Sequence, residues 1–470
     1  LYKVIKVSDA SELGRHIVVQ GGTFYNDAVL RSFERISGCR AVRPDIAGIM
    51  GAFGAALAAK ALRLERSSLL SAEELNTFQH SARPLTCNGC TNHCSLTVNT
   101  FDGGRRFISG NRCSRPLGEE PHHLPDLMRY KYQKLRALHG KGDGDGSRGR
   151  IGIPFGLNMY ENLPFWFTFF TKLNFEVVLS PESTRSLYLK GQQTIPSDTV
   201  CYPAKLLHGH IMALLEEGID TIFYPCMSYN FDEHLSDNHY NCPVVAYYPD
   251  LLGVNIPALE DIKYLHPNLG LHRPKDFEKK GAQLLETEFG IPKRASVKAI
   301  RKAYAAYEDF RRLVQKKGEE YISFARETGR KILVVAGRPY HMDPEVNHGI
   351  NELISGFGFV LITEDSVAYH MDKQPRTVLN QWTYHARMYN AARYVCTQED
   401  MELIQLVSFG CGVDAITGDE MRSILEEGGK LYTQLKIDDI SNLGAVKIRV
   451  RSLMAAIEAR KARRELQPTP

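Results

Sequence analysis

At roughly 100 to 200 residues per domain, a chain of 470 residues suggests about three domains and is long enough to bury several cores. Its 43% hydrophobic and 24% charged residues, with 38 Gly and 22 Pro dispersed along it, exclude disordered and fibrous classes. Lys and Arg number 58 against 54 Asp and Glu, a net charge of +4 too small and too evenly spread to point to a nucleic-acid or membrane partner.

The first elements read as a strand at His16-Ile17-Val18-Val19, a turn at Gly21-Gly22 and a helix over Asn26 to Ile36, with apolar spacing at Ala28, Leu30, Phe33 and Ile36. A second helix is predicted over Ile46 to Leu62, with Gly48, Gly51 and Gly54 on one face as the mark of a tight helix contact. After a cysteine-rich insert, Gly140 to Ser147 offers nothing able to pack and reads as a flexible linker. Arg150 to Gly156, an aromatic helix ending at Leu173 and Phe175 to Leu179 then form a strand-helix-strand unit. No run approaches the roughly 18 apolar residues of a membrane span; the richest, Leu163 to Phe170, stops at Thr171-Lys172. A long helix opens at Pro292, with Ile300, Tyr304, Tyr307, Phe310 and Val314 along one stripe. The strand-helix-strand plan recurs at Lys331 to Pro339, Gly349 to Ser355 and Phe359 to Ile362, so two related α/β lobes are expected. Leu1 stands where Met would, and Leu1 to Gln20 lacks the features of a signal peptide, which predicts a cytoplasmic chain shortened at its N-terminus.

Ten cysteines are too dilute for a disulfide scaffold, yet Cys87, Cys90, Cys94 and Cys113 lie close together. Their C-x2-C-x3-C run with a distant fourth thiol suits one metal centre; zinc and an iron-sulfur cubane both satisfy it, and the uneven spacing is nearer to iron-sulfur ligation. Cys201, Cys226 and Cys411 each follow a strand-like or loop segment, at the end of an α/β unit where ligands bind. By spacing alone these three read equally as unrelated buried thiols.

Gly21-Gly22 with Asn26, Val42-Arg43-Pro44-Asp45 and Gly51-Ala52-Phe53-Gly54-Ala55-Ala56 resemble the C-terminal end of the ATPase activators of 2-hydroxyacyl-CoA dehydratases and benzoyl-CoA reductases, which are actin-like ATPases. The remainder is similar to acyl-CoA dehydratase activase-related proteins. The motifs are Cys-Asn-Gly-Cys at Cys87, Gly-Asn-Arg-Cys ending at Cys113, Cys-Tyr-Pro-Ala-Lys at Cys201, Tyr-Pro-Cys ending at Cys226, Gly-Arg-Pro-Tyr-His at Gly337, Thr-Glu-Asp-Ser at Thr363 and Ser-Phe-Gly-Cys-Gly at Ser408.

The resemblance implies a partial actin-like segment over 1–65, the metal-binding insert over 66–139, a linker over 140–150, a first open-sheet lobe over 151–290, a helical connector over 291–328 and a second lobe over 329–470. Its lobes would form a cleft in which Cys201, Cys226 and Cys411 hold a [4Fe-4S] cluster, single or as a sulfide-bridged pair of cubanes. The partners it implies are an ATP-hydrolysing activator domain or subunit, a low-potential donor such as ferredoxin or flavodoxin, a small substrate and, as an option, a second copy of the chain. Gly21, Gly22 and Asn26 would touch only the adenosine side of a nucleotide. With no glycine-rich phosphate loop and no Asp-x-Gly-x-Thr, ATP would be hydrolysed only by a complete activator domain or partner. His341, Glu364 and Asp365, beyond strand ends, are candidate proton donors or acceptors, and Lys205 is a cation that would ease reduction or lie on the surface. Capping of a following helix competes for Asp365 and Ser366. The function that the resemblance implies is an iron-sulfur component of anaerobic metabolism that accepts low-potential electrons from the ATP-driven activator and reduces a small substrate at the cluster between the lobes. Its rivals are an electron relay that carries a cluster without turning over substrate, and a zinc-stabilised scaffold.

Overall fold

The computed structural model describes residues 14–61, 70–88, 95–110, 124–138, 144–373, 379–408, 410–438 and 443–466. The chain divides into two units, Leu1–His80 with Phe101–Gly103 and the remainder.

In the first unit, β1 (His16–Val18) pairs in parallel with β2 (Arg40–Val42) through the crossover helix α1 (Asp27–Ser37), and α2 (Met50–Ala61) and α3 (Ala72–Thr77) follow. Asn26 starts α1 because its side chain accepts the Ala28 N–H at 3.0 Å, and Gly38 ends it in a left-handed conformation. The second predicted helix starts later than expected, because Ile46 to Ile49 form a turn. Its tight glycine contact is also corrected: nothing described lies within 4 Å of a Cβ added at Gly51 or Gly54. Only Gly48 is close-packed, its N–H donating to Tyr25 Oη at 2.8 Å.

The second unit opens with a small sheet of β3 (His80–Thr86), β4 (Ser95–Phe101) and β5 (Arg106–Ser109), then α4 (Leu127–Arg136). The first lobe contains β6 (Arg150–Ile153), α5 (Met159–Thr171), β7 (Glu176–Leu179), α6 (Arg185–Gly191), α7 (Tyr202–Glu216), β8 (Thr221–Phe223), α8 (Pro243–Asn255), β9 (Lys263–Leu265) and α9 (Pro274–Phe289). The 35-residue α10 (Lys293–Glu327) leads to the second lobe. That lobe contains β10 (Ile332–Ala336), α11 (Pro344–Asn347), α12 (Ile350–Gly356), β11 (Val360–Thr363), α13 (Thr383–Cys396), β12 (Met401–Ser408), α14 (Gly412–Glu427), β13 (Thr433–Ile437) and α15 (Leu443–Leu466).

Both lobes are all-parallel four-stranded sheets with one topology, β7-β6-β8-β9 and β11-β10-β12-β13. In each the second strand in sequence lies outside the first and the third and fourth lie on its other side, so the strand order reverses between the first and third strands. Every residue of β10 and β12 is buried, as parallel strands covered on both faces require: β10 is apolar throughout, and β12 carries Glu402 and Gln405 within its apolar run. The stripe predicted on α10 faces the core: Ile300, Tyr307 and Val314 are buried, and Tyr304 packs edge-on against Phe165 of α5 at 4.9 Å. Gly144, in the segment read as a linker, lies against the first lobe, where an added Cβ would come 2.5 Å from the Phe175 carbonyl oxygen. No helix among the described residues is long and apolar enough to cross a membrane.

Candidate metal centre

Three helices of the two lobes begin at a cysteine. Cys201 is the N-cap of α7, with Pro203 in its first turn; Cys242 is the N-cap of α8, with Pro243 directly after it; Cys411 is the N-cap of α14, after Gly410 at φ +73°. Proline suits the first helical turn because the N–H it lacks has no intrahelical partner there. Cys242 and Cys411 occupy matching places in the repeated topology, each opening the helix between the third and fourth strands of its lobe.

The three thiols lie within electrostatic reach of one another and of the buried Arg338 guanidinium. Arg338 donates from Nη2 to Cys411 Sγ at 3.2 Å and from Nη1 to Tyr340 Oη at 2.9 Å, and it is ion-paired with Asp414. Asp414 also meets His385 Nε2 at 3.2 Å. Burial opposes ionisation of Asp414, but the Arg338 charge and the His385 hydrogen bond outweigh it and hold the carboxyl below its usual range.

Burial pushes the Cys201 thiol up to about 11 and also raises Cys242, in both cases against the pull of Arg338. Such thiols are poor nucleophiles at neutral pH, whereas a metal would hold them as thiolates outright. Among the described residues, the donor set of three whose ligand atoms all fall within 4.8 Å is Cys226, Asp250 and His266. The sulfurs of Cys201, Cys242 and Cys411 do not all lie within that distance of one another, and a cubane, unlike a single ion, takes its thiolates on separate irons. Three helix N-termini and one buried guanidinium supply the positive potential that an anionic thiolate cluster needs. On donor chemistry and charge, these residues fit such a group.

The structure thus brings Cys201 and Cys411 into one set and adds Cys242, while Cys226 sits with Asp250 and His266. Cys242 was legible in one respect: Cys242-Pro243, like Cys201-Tyr202-Pro203, places a proline just after a cysteine at the head of an apolar run. Cys90, Cys94 and Cys113 lie outside the described residues; Cys87, just beyond β3, is within them. Gly21, at φ +97°, precedes a short 3-10 turn, and the Asn26 side chain is engaged in capping α1.

Lys205 is buried in α7, one turn beyond Cys201, rather than lying along the surface. His341 is buried just past β10; its Nδ1 accepts the Arg338 backbone N–H at 3.1 Å, leaving Nε2 facing Ser408 Oγ at 3.4 Å. Burial, aided by the Arg338 charge, pushes His341 down to about 3, so its ring is neutral. Asp365 caps no helix: it accepts from Lys131 Nζ and from Thr363 Oγ1, each at 2.5 Å. Glu364, Lys131, Arg338 and His341 share the wall of a cavity of about 20 Å³, room for about one water. Two further contacts tie the lobes together here: Tyr202 Oη donates to Glu345 Oε1 at 2.9 Å, and Asp343 accepts from Tyr160 and Ser183.

Burial, then the neighbouring Asp365 charge, raises Glu364 to about 8. Between its ordinary value and that one, the folded chain keeps a proton that the unfolded chain gives up. Glu364 therefore withdraws stability as pH rises through this window, at no more than about 1.4 kcal/mol per pH unit. Glu364→Gln removes the titration. Its thermal midpoint is expected to gain on that of the wild type from about pH 5 to about pH 8, and a gap constant across that range would refute the assignment.

Residues 150–367, from β6 to just past β11, match a protein family described as the CoA enzyme activase uncharacterised domain, which supports an activase-related family. No curated protein matches the chain. The matched stretch contains Cys201, Cys226, Cys242, Arg338 and Glu364 and ends before Cys411.

Proposed function

We propose that this chain is an iron-sulfur protein of the 2-hydroxyacyl-CoA dehydratase type, serving the reductive activation of CoA-dependent chemistry, with Cys201, Cys242 and Cys411 as ligands of a cubane. The carrying observation is that three thiols, each at a helix N-terminus, gather around the buried Arg338. A cubane bound there would supply one-electron chemistry at low potential, with at least one iron left without a cysteine. In this reading the electrons come from an ATP-driven activator domain or subunit, itself reduced by a ferredoxin or flavodoxin.

The chain's own residues set the electrostatics. Arg338 offsets the thiolate charge, and Asp414 with His385 fixes the guanidinium. Neutral His341 orients the Arg338 backbone without adding charge. Glu364, protonated at neutral pH, holds a proton beside the one-water cavity, and Lys131 with Asp365 supports it. The cysteines of the insert form a second centre, of iron or of zinc.

A second reading, an electron relay that binds no substrate, draws on the size of the space beside Arg338 and His341, about 20 Å³. The experiment is anaerobic purification with iron, sulfide and zinc analysis and electron paramagnetic resonance of the wild type and Cys411→Ser. The expected result is iron with acid-labile sulfide, and loss of one low-potential signal in the variant while the insert's signal persists. Unchanged iron and spectra in Cys411→Ser would refute the cluster; zinc alone would leave the scaffold. A substrate-dependent reoxidation of the reduced protein separates enzyme from relay.

A further inference from the structure

We propose that Cys226, Asp250 and His266 form a separate mononuclear site for a divalent cation of borderline softness, zinc or ferrous iron. The three donors come from different elements and meet where ligands bind in open α/β sheets: Cys226 follows β8, His266 follows β9 and Asp250 lies on α8. Cys226 Sγ is 3.3 Å from Asp250 Oδ1, and His266 Nδ1 is 2.8 Å from the same oxygen. Around a tetrahedral ion those separations are about 3.5 and 3.3 Å, so the trio needs to open by about half an ångström.

The surrounding chain holds each donor in place. The Cys226 N–H donates to the Pro267 carbonyl, beside His266, and the Leu269 N–H returns to the Cys226 carbonyl, both at 3.0 Å. Tyr264 Oη donates to the Pro249 carbonyl at 2.8 Å, next to Asp250, and its ring stacks on His266 at 4.7 Å. These are the supports that fix ligands around a metal. Cys226 is buried, whereas Asp250 and His266 keep 48% and 40% of their side chains exposed, which gives an ion a path in and an open position. The Tyr224 hydroxyl, fully buried and without a hydrogen-bond partner, lies within electrostatic reach of Cys226.

Charge balances as well. The ion displaces the Cys226 proton to solvent, and one thiolate, one carboxylate and a neutral imidazole then offset a divalent cation. Without a metal the same trio is a thiol and an imidazole hydrogen-bonded to one carboxylate. The site does not rest on the cluster reading, since it uses none of Cys201, Cys242 or Cys411.

The test is equilibrium dialysis of the full chain, purified anaerobically, against Co²⁺, with near-ultraviolet absorption of the thiolate-cobalt band. Wild type is expected to bind one more equivalent of Co²⁺ per chain than Cys226→Ser, and His266→Ala is expected to lose that same equivalent, with iron and sulfide unchanged in both. Cys242→Ser should lose iron and keep the cobalt equivalent, which separates this site from the cluster. Asp250→Asn, at a half-exposed position, gives a third variant whose fold is checked by its metal-free thermal midpoint. Equal cobalt in wild type, Cys226→Ser and His266→Ala would overturn the proposal. So would loss of iron in Cys226→Ser with full cobalt binding in His266→Ala.

Discussion

Changing Cys242 to serine is expected to remove as much iron as changing Cys411, about four atoms per chain if one cubane is lost, while Cys226→Ser leaves that iron in place. The expectation rests on helix geometry. Cys242 and Cys411 cap equivalent helices of the two lobes, and both lie within reach of Arg338. Cys226 instead donates to Asp250, away from that guanidinium's hydrogen bonds. Serine keeps the N-cap, since its hydroxyl can accept the Val245 N–H that Cys242 Sγ now accepts at 3.5 Å, so α8 should survive the change. The loss would then report ligation rather than unfolding. Iron that departs with Cys226 and stays without Cys242 would return the ligand set to Cys201, Cys226 and Cys411.

Much of the second unit could be read from the chain because its strands announce themselves. Ile332 to Ala336 and Val360 to Thr363 are short runs rich in β-branched residues, with Gly337 after the first and Gly358 just before the second, and their length and composition suit buried parallel strands. The α10 stripe was legible for the same reason, since apolar residues at helical spacing must face something. Ligand choice was harder. The sequence around Cys226 carries the stronger motif, but whether a thiol just past β8 or one at the head of α8 meets Arg338 depends on how residues 224 to 242 fold back. That path is fixed by long-range pairs, such as Asp237 N–H to the Asn380 carbonyl at 2.7 Å, which leave no periodic trace. The glycines of α2 failed in the opposite sense: Gly51 and Gly54 have the spacing of a close contact and no described neighbour. The charged residues were equally silent. Nothing in the sequence singles out Arg387 and Glu161, yet they are 226 positions apart in sequence and buried together.

That buried pair gives the largest expected loss of stability. Arg387 donates to both Glu161 oxygens at 2.7 Å and to Glu233 at 2.5 and 2.9 Å, with its side chain 4% exposed. Glu161 also accepts from Tyr307 at 3.1 Å and Asn230 at 3.2 Å, and it joins α5 to α10 and α13. Burial opposes ionisation of Glu161, and the Arg387 charge overrides it, so the carboxyl is held below its ordinary value. Arg387→Met fills similar volume but leaves that charge buried without its cation, a cost of about 3 to 5 kcal/mol. The sign with pH follows. In the wild type Glu161 stabilises the fold above its unfolded value and loses that contribution as pH falls. In the variant, burial and the Asp365 charge are expected to outweigh Lys131 and the Tyr307 and Asn230 hydrogen bonds, so the folded carboxyl rises above the unfolded one and stability drains as pH increases. The gap between the two proteins should therefore widen from about pH 5 to about pH 8. Adding Glu161→Gln should recover much of the loss, because a neutral amide keeps its bonds to Tyr307 and Asn230 without a stranded charge. Denaturation followed by the fluorescence of Trp166, buried in the same lobe as Glu161, measures the wild type and both variants. A loss below about 1 kcal/mol, equal at both pH values, would show that Glu161 is accommodated without its cation and that Arg387 does not hold these three helices together.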